Sequence, residues 1–166
     1  MPEAVVQVRG TLARWLALAA GVIILDQISK LAILRSLQLG ERVELAPFFN
    51  LVLAYNPGAA FSFLADAGGW QKWFFVALAL GISVWIIAML KRHPGERLLS
   101  LALTLVMGGA LGNVIDRFAY GAVVDFLDFH WAGMHWPAFN VADSAICIGA
   151  ALMVWEQFSA GGDKKD

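Results

Sequence analysis

The sequence predicts a mainly α-helical membrane protein: four transmembrane helices, with a small antiparallel sheet and a short interfacial helix at one membrane face. Three observations predict it. Of the 166 residues, 60% are hydrophobic and only 15% charged, with a mean hydropathy of +0.68. A water-soluble domain this apolar lacks the polar groups to cover its surface. Four segments approach the roughly 20 apolar residues that a helix needs to cross a bilayer. Two of the connections between them are rich in Val, Phe, Leu and Tyr and are punctuated by turn residues, so they read as strands rather than loops. The net charge of −1 points to neither nucleic acid nor an acidic partner. A single cysteine, Cys147, excludes an intrachain disulfide. The whole chain, 1–166, reads as one membrane-embedded domain.

The first span is expected over residues 14–34. It is too long, and too charged, for a cleaved signal peptide. Asp26 and Lys30 lie four apart on one helix face, so they read as a structural pair turned to the bundle interior. Ser29 and Lys30 cannot easily form a nucleophile–base dyad, because adjacent helix residues point about 100° apart. Residues 41–63 follow, ERVELAPFFNLVLAYNPGAAFSF, with a turn at Asn56-Pro57-Gly58. Residues 65–72 are expected to form the short interfacial helix. The second span, 73–90, carries no charge, and the third, 98–115, ends against Asp116 and Arg117. Arg117 has three readings there: pairing with Asp116, snorkelling to the interface, or contacting an anionic headgroup. Residues 122–131, AVVDFLDFHW, alternate like a strand around Asp125. The fourth span covers 140–155, with Asn140 as its N-cap and Asp143 at the third helical position. Trp70, Trp73, Trp131 and Trp136 belong at headgroup depth.

Lys91, Arg92 and Arg97 in KRHPGER, with Arg9, Arg14, Lys164 and Lys165 near the ends, place both termini and that connection on the cytoplasmic side. The strand-bearing connections then face outward.

Carboxylates beside lipid are costly and need a reason. Asp143 has a bland one, since an acidic residue in a first helical turn complements the helix dipole. Asp125 interrupts an apolar run and has no capping role. Asp128 reads as an exposed strand charge, and Asp116 as the brace for Arg117. His130 and His135 read as polar loop tips, because a metal site would need more ligands in a recognisable pattern. Cys147 reads as a small buried hydrophobe.

At this point the motifs carry a resemblance. LDQISK (25–30), YNPGAAFSFL (55–64), GNVIDR (112–117), VVDF (123–126) and PAFNVADSA (137–145) occur in this order on four spans. The chain resembles the bacterial lipoprotein signal peptidases, signal peptidase II, over nearly its whole length. The resemblance implies four transmembrane helices with a periplasmic β-cradle and a periplasmic helix. It implies a multi-pass inner-membrane aspartic endopeptidase, active near the periplasmic leaflet. Its substrates would be diacylglyceryl-modified prolipoproteins, cut just before the lipidated cysteine. Carried over by motif, the catalytic pair is Asp125 and Asp143. Asn56, Gly58, Asn113, Asp116, Arg117 and Asn140 are candidates for binding substrate or bracing the pair. No metal or cofactor is implied. Membrane phospholipid and globomycin-type inhibitors are expected partners, and the expected state is a monomer.

Two carboxylates in one site cannot easily both ionise, so one holds a proton. Asp125 is the expected holder, because the helix start favours Asp143 as carboxylate. The competing reading is a non-enzymatic four-span transporter or assembly factor that uses these carboxylates as an ion path.

Overall fold

The computed structural model describes residues 2–58 and 68–162, with side chains over 12–58 and 68–159. Four helices build the bundle: α1 (Pro2–Ser36), α2 (Gln71–Arg92), α3 (Arg97–Tyr120) and α4 (Val141–Gly162). Each contains a stretch long and apolar enough to cross a membrane. α3 is the central one. Its apolar window is 56% buried, against 17–22% for the other three. Three glycines explain how neighbours come so close to its axis. A methyl group at Gly108 would strike the Val22 side chain of α1, and one at Gly109 would strike the Ala142 carbonyl of α4. On α4, a methyl at Gly149 would meet the Ala102 carbonyl of α3. Small residues at crossings let backbones approach, which is how helices gain packing where lipid removes the hydrophobic drive. The outer faces carry Ile24, Leu25, Ile28, Val84, Trp85, Ile148 and Val154, all exposed, as lipid requires.

Four strands form one antiparallel sheet in chain order: β1 (Arg42–Ala46), β2 (Phe49–Asn56), β3 (Val123–Trp131) and β4 (Met134–His135). The sheet sits where α1 and α3 end and α2 and α4 begin, opposite the 93–96 connection. The pairing of β2 with β3 slips by one residue between Leu51 and Ala54, and Ala54 lies opposite Asp125. Such a bulge twists the strand and re-aims side chains locally. A small core of Ile33, Leu53, Val124 and Phe126 joins the sheet to the end of α1.

Two expectations need comment. The interfacial helix over 65–72 lies mostly outside the described residues; Gly68–Trp70 is a turn, and Gln71 and Lys72 already belong to α2. β4 was not expected. It forms because Ala132 (φ 49°) and Gly133 (φ 81°) turn the chain in two residues, the left-handed pair that tight hairpins use. Trp70, Trp73, Trp131 and Trp136 are all exposed at this end.

Candidate active site

The site forms where α3 hands over to β3. Gly121, at φ 80°, closes α3 by donating its N–H to the Arg117 carbonyl. Only a residue free to adopt the left-handed region makes that stop easily. Two residues later the chain is already β3, so Asp116, Arg117 and Asp125 stay close. Asp125 is 2% exposed. Asn140 Nδ2 donates to its Oδ1 at 2.7 Å, and the Asn56 side chain also hydrogen-bonds it. Burial pushes its carboxyl up to about 7, helped by the charge of Asp143; the two asparagines and Lys30 pull the other way.

The start of α4 is docked against the same strand. Phe139 accepts the N–H groups of Phe126 and Leu127 at 3.0 and 2.8 Å, and donates back to Leu127 at 3.1 Å. That short ladder delivers Asn140 to Asp125. Asn140 Oδ1 caps α4 by accepting the Asp143 N–H at 2.8 Å. Asp26 Oδ1, reaching over from α1, accepts the Ala142 N–H at 2.9 Å. Two of the helix's orphan donors are therefore met by other side chains, and the Asp143 carboxylate is left for other work. It accepts from Asn113 Nδ2 at 2.8 Å and is partly exposed. The two asparagines also touch, with Asn140 Nδ2 3.2 Å from Asn113 Oδ1. Asp125, Asn140, Asn113 and Asp143 thus form one hydrogen-bonded chain.

Beneath it lies a buried ion cluster. Lys30 Nζ is 2.7 Å from Asp26 Oδ2, 2.7 Å from Asp116 Oδ2 and 3.0 Å from Asn113 Oδ1. Asp26, Lys30 and Asp116 are at most 1% exposed. Gln27 was missed in the sequence, although it stands beside Asp26. Its Nε2 bridges Asp26, the Gly112 carbonyl and Asp116.

Three expectations are corrected. Asp116 bonds Lys30, Gln27 and the Val124 N–H rather than Arg117. Arg117 instead donates to the Gly58 carbonyl at 2.9 Å and the Asn113 carbonyl at 3.3 Å, and lies over the Phe75 ring. Gly58 is itself held by its N–H to Asn56 Oδ1 at 3.0 Å, so Arg117 fixes the Asn56 turn to α3. Asp128 is 4% exposed, not a surface charge. Asn50 and His135 bond it at 2.8 Å each, and Arg42 stands 3.6 Å away. Burial pushes the Asp128 carboxyl up, but these partners outweigh it and hold the carboxyl below its ordinary range. Cys147 is exposed on the outside of α4.

Among the described residues, no group of three or more His, Cys, Asp or Glu is arranged to hold a metal ion. The arrangement offers two carboxylates of unlike surroundings, one enclosed and one open, braced by amide donors. That suits acid–base work on a polar bond.

The model of the family described as Signal peptidase (SPase) II matches residues 18–159. A lipoprotein signal peptidase of Ralstonia nicotianae is 59% identical over 143 residues, 86% of this chain and 83% of its own length. That of Polynucleobacter necessarius is 57% identical over 145 residues, covering 87% and 89%. Among solved structures, a bacterial membrane enzyme determined at 2.3 Å superposes with a TM-score of 0.83 at 31% identity, covering 93% of each chain. A second, at 1.9 Å, gives 0.76 at 31% identity, covering 87% of this chain and 92% of that one.

Proposed function

The chain belongs to the signal peptidase II family and removes signal peptides from prolipoproteins, and we propose that it does so as an aspartic endopeptidase with Asp125 and Asp143 as its dyad. The observation that carries this reading is the chain of hydrogen bonds from Asp125 through Asn140 and Asn113 to Asp143. It draws together two carboxylates from a strand and a helix start.

Asp125, enclosed and pushed up to about 7, holds the shared proton. Asp143 is the carboxylate. It takes a proton from water as that water attacks the scissile carbonyl carbon. Asp125 gives its proton to the carbonyl oxygen. As the tetrahedral species collapses, the proton held by Asp143 goes to the departing amine, and Asp125 takes a proton back from a hydroxyl of that species, which restores the dyad. Asn56, fixed by the Arg117–Gly58 contact, and Asn113 are the groups that orient the substrate backbone and the dyad.

The substrate is a prolipoprotein with diacylglyceryl on its cysteine, cut just before that residue. A site at the end of a bundle, reached from lipid, takes binding energy from acyl chains at about 0.8 kcal/mol per buried methylene. Globomycin-type peptides would compete there. The enzyme works as a monomer in the inner membrane, with both termini cytoplasmic and the sheet periplasmic.

The test is cleavage by purified enzyme in phospholipid vesicles, read by mass spectrometry. A diacylglyceryl prolipoprotein should yield a product beginning at the lipidated cysteine, and the unmodified precursor should stay whole. Equal cleavage of both would remove the lipid from the reading. Proton flux without cleavage would replace it with an ion path.

A further inference from the structure

Three charges buried together are expensive, and similar volumes of apolar side chain would often serve stability better. Their retention here needs a function, and the backbone contacts supply one. Asp116 Oδ2 accepts the N–H of Val124 at 3.0 Å. Asp26 Oδ1 accepts the N–H of Ala142 at 2.9 Å. Val124 immediately precedes Asp125, and Ala142 immediately precedes Asp143. Each carboxylate comes from an element that carries neither member of the dyad: α1 for Asp26, α3 for Asp116. Lys30 Nζ touches both, and its contact with Asn113 Oδ1 continues through Asn113 Nδ2 to Asp143 itself.

We propose that Asp26, Lys30 and Asp116 are positioning residues, each carboxylate fixing one catalytic aspartate through the backbone N–H of the residue before it, with Lys30 locking the two grips together. Neither carboxylate touches the reacting atoms. What they set is the separation and aim of two side chains on independent elements. Acid–base chemistry demands that geometry closely, and a misplacement of about 1 Å can cost about 100-fold in rate. Gly112 belongs to the same device. A methyl group there would stand 2.8 Å from Asp26 Oδ2, so glycine leaves room for the Asp26 grip.

The inference rests on the dyad reading, and its test separates the two. In Asp116→Leu, turnover per folded molecule should fall about 100-fold with KM within about threefold, and the Val124 amide should lose protection against hydrogen exchange while Ala142 keeps it. Asp26→Leu should give the same kinetic split with the amides reversed. Asp116→Asn and Asp26→Asn each keep an acceptor oxygen, so they should stay within about tenfold of wild type with both amides protected. If the leucine variants fail to fold, the asparagine variants decide. A folded asparagine variant with protected amides but turnover reduced more than 100-fold would overturn the proposal. So would leucine variants with wild-type turnover, or with the two amides loosened indiscriminately. Asp125→Asn and Asp143→Asn run alongside. Cleavage by either would fell the dyad whatever the amides do, whereas full turnover in Asp116→Leu beside a dead Asp125→Asn would fell the positioning role alone.

Discussion

Asp125 is where sequence and chemistry meet most plainly. A carboxylate inside AVVDFL has no local reason to exist, and the structure encloses it at 2% exposure. Because its carboxyl is pushed up to about 7 from an ordinary 3.8, the folded protein binds more protons than the unfolded chain between those values. Stability therefore falls as pH rises from about 4 to about 7, by at most about 1.4 kcal/mol per pH unit. Asp125→Asn removes that titration and still offers Asn140 an oxygen. It should melt higher than wild type at pH 8 in detergent, with the gain shrinking towards pH 4. Cleavage that uses the Asp125 proton should decline as pH passes about 7, and a rate still rising above pH 8 would contradict that role. Asp143 was not legible in the same way, because a helix-start aspartate is as often a cap. The sequence marks Asn140 as the cap, and only the structure reveals that Asp26 shares that duty. Asp128 was misread because its partner Asn50 is 78 residues away in sequence, and alternation along one strand cannot report a cross-strand bond. Asp116 was misread for the same cause: its cation is on α1, not next door.

At the scale of elements, hydropathy made the four helices legible, since lipid allows few other solutions. Their ends were not, because helices continue into polar residues beyond the apolar stretch: α1 begins at Pro2 and α4 runs to Gly162. Strand character in 41–63 and 122–131 was visible in composition, with 59–63 lying outside the described residues, but the slip opposite Asp125 and the two-residue β4 arise from pairing. The contact of α3 with α4 matters most, because it sets Asn113 against Asp143. Gly109→Ala tests it. The added methyl would lie 2.3 Å from the Ala142 carbonyl, and backbone cannot yield as a side chain can. The helices should part, costing about 1–3 kcal/mol in stability and at least about tenfold in cleavage through the loosened Asn113–Asp143 bond. Thermal melting and turnover of the same preparation check both. Gly95→Ala, in open space, should change neither.

The whole molecule is a bundle whose one end is a chemical device and whose other end is a basic turn. Positive charge at Lys91, Arg92 and Arg97 is what supports the proposed cytoplasmic side for that turn. In a Cys147→Ala background, Glu44→Cys on exposed β1 should react with a membrane-impermeant maleimide from the periplasmic side. Gly95→Cys should react only after the membrane is opened, and the opposite pattern would invert the topology. Family membership was legible because five motifs keep their order across the chain, and the fold class was legible independently, from hydropathy and strand-like composition. Of the buried cluster that joins α1, α3, α4 and β3, the Asp26–Lys30 pair was legible from its spacing on one helix face, whereas its links to Asp116, Asn113, Val124 and Ala142 were not, because those residues are distant in sequence. The central claim is that cleavage needs both Asp125 and Asp143. The most direct measurement is turnover of a diacylglyceryl prolipoprotein by folded Asp125→Asn and Asp143→Asn, with Glu44→Gln as the exposed control; Asp128, being buried and bonded, cannot serve as one. Both dyad variants should lose cleavage by at least about 1,000-fold, with Glu44→Gln unchanged. Either dyad variant cutting at a rate near wild type would contradict the account.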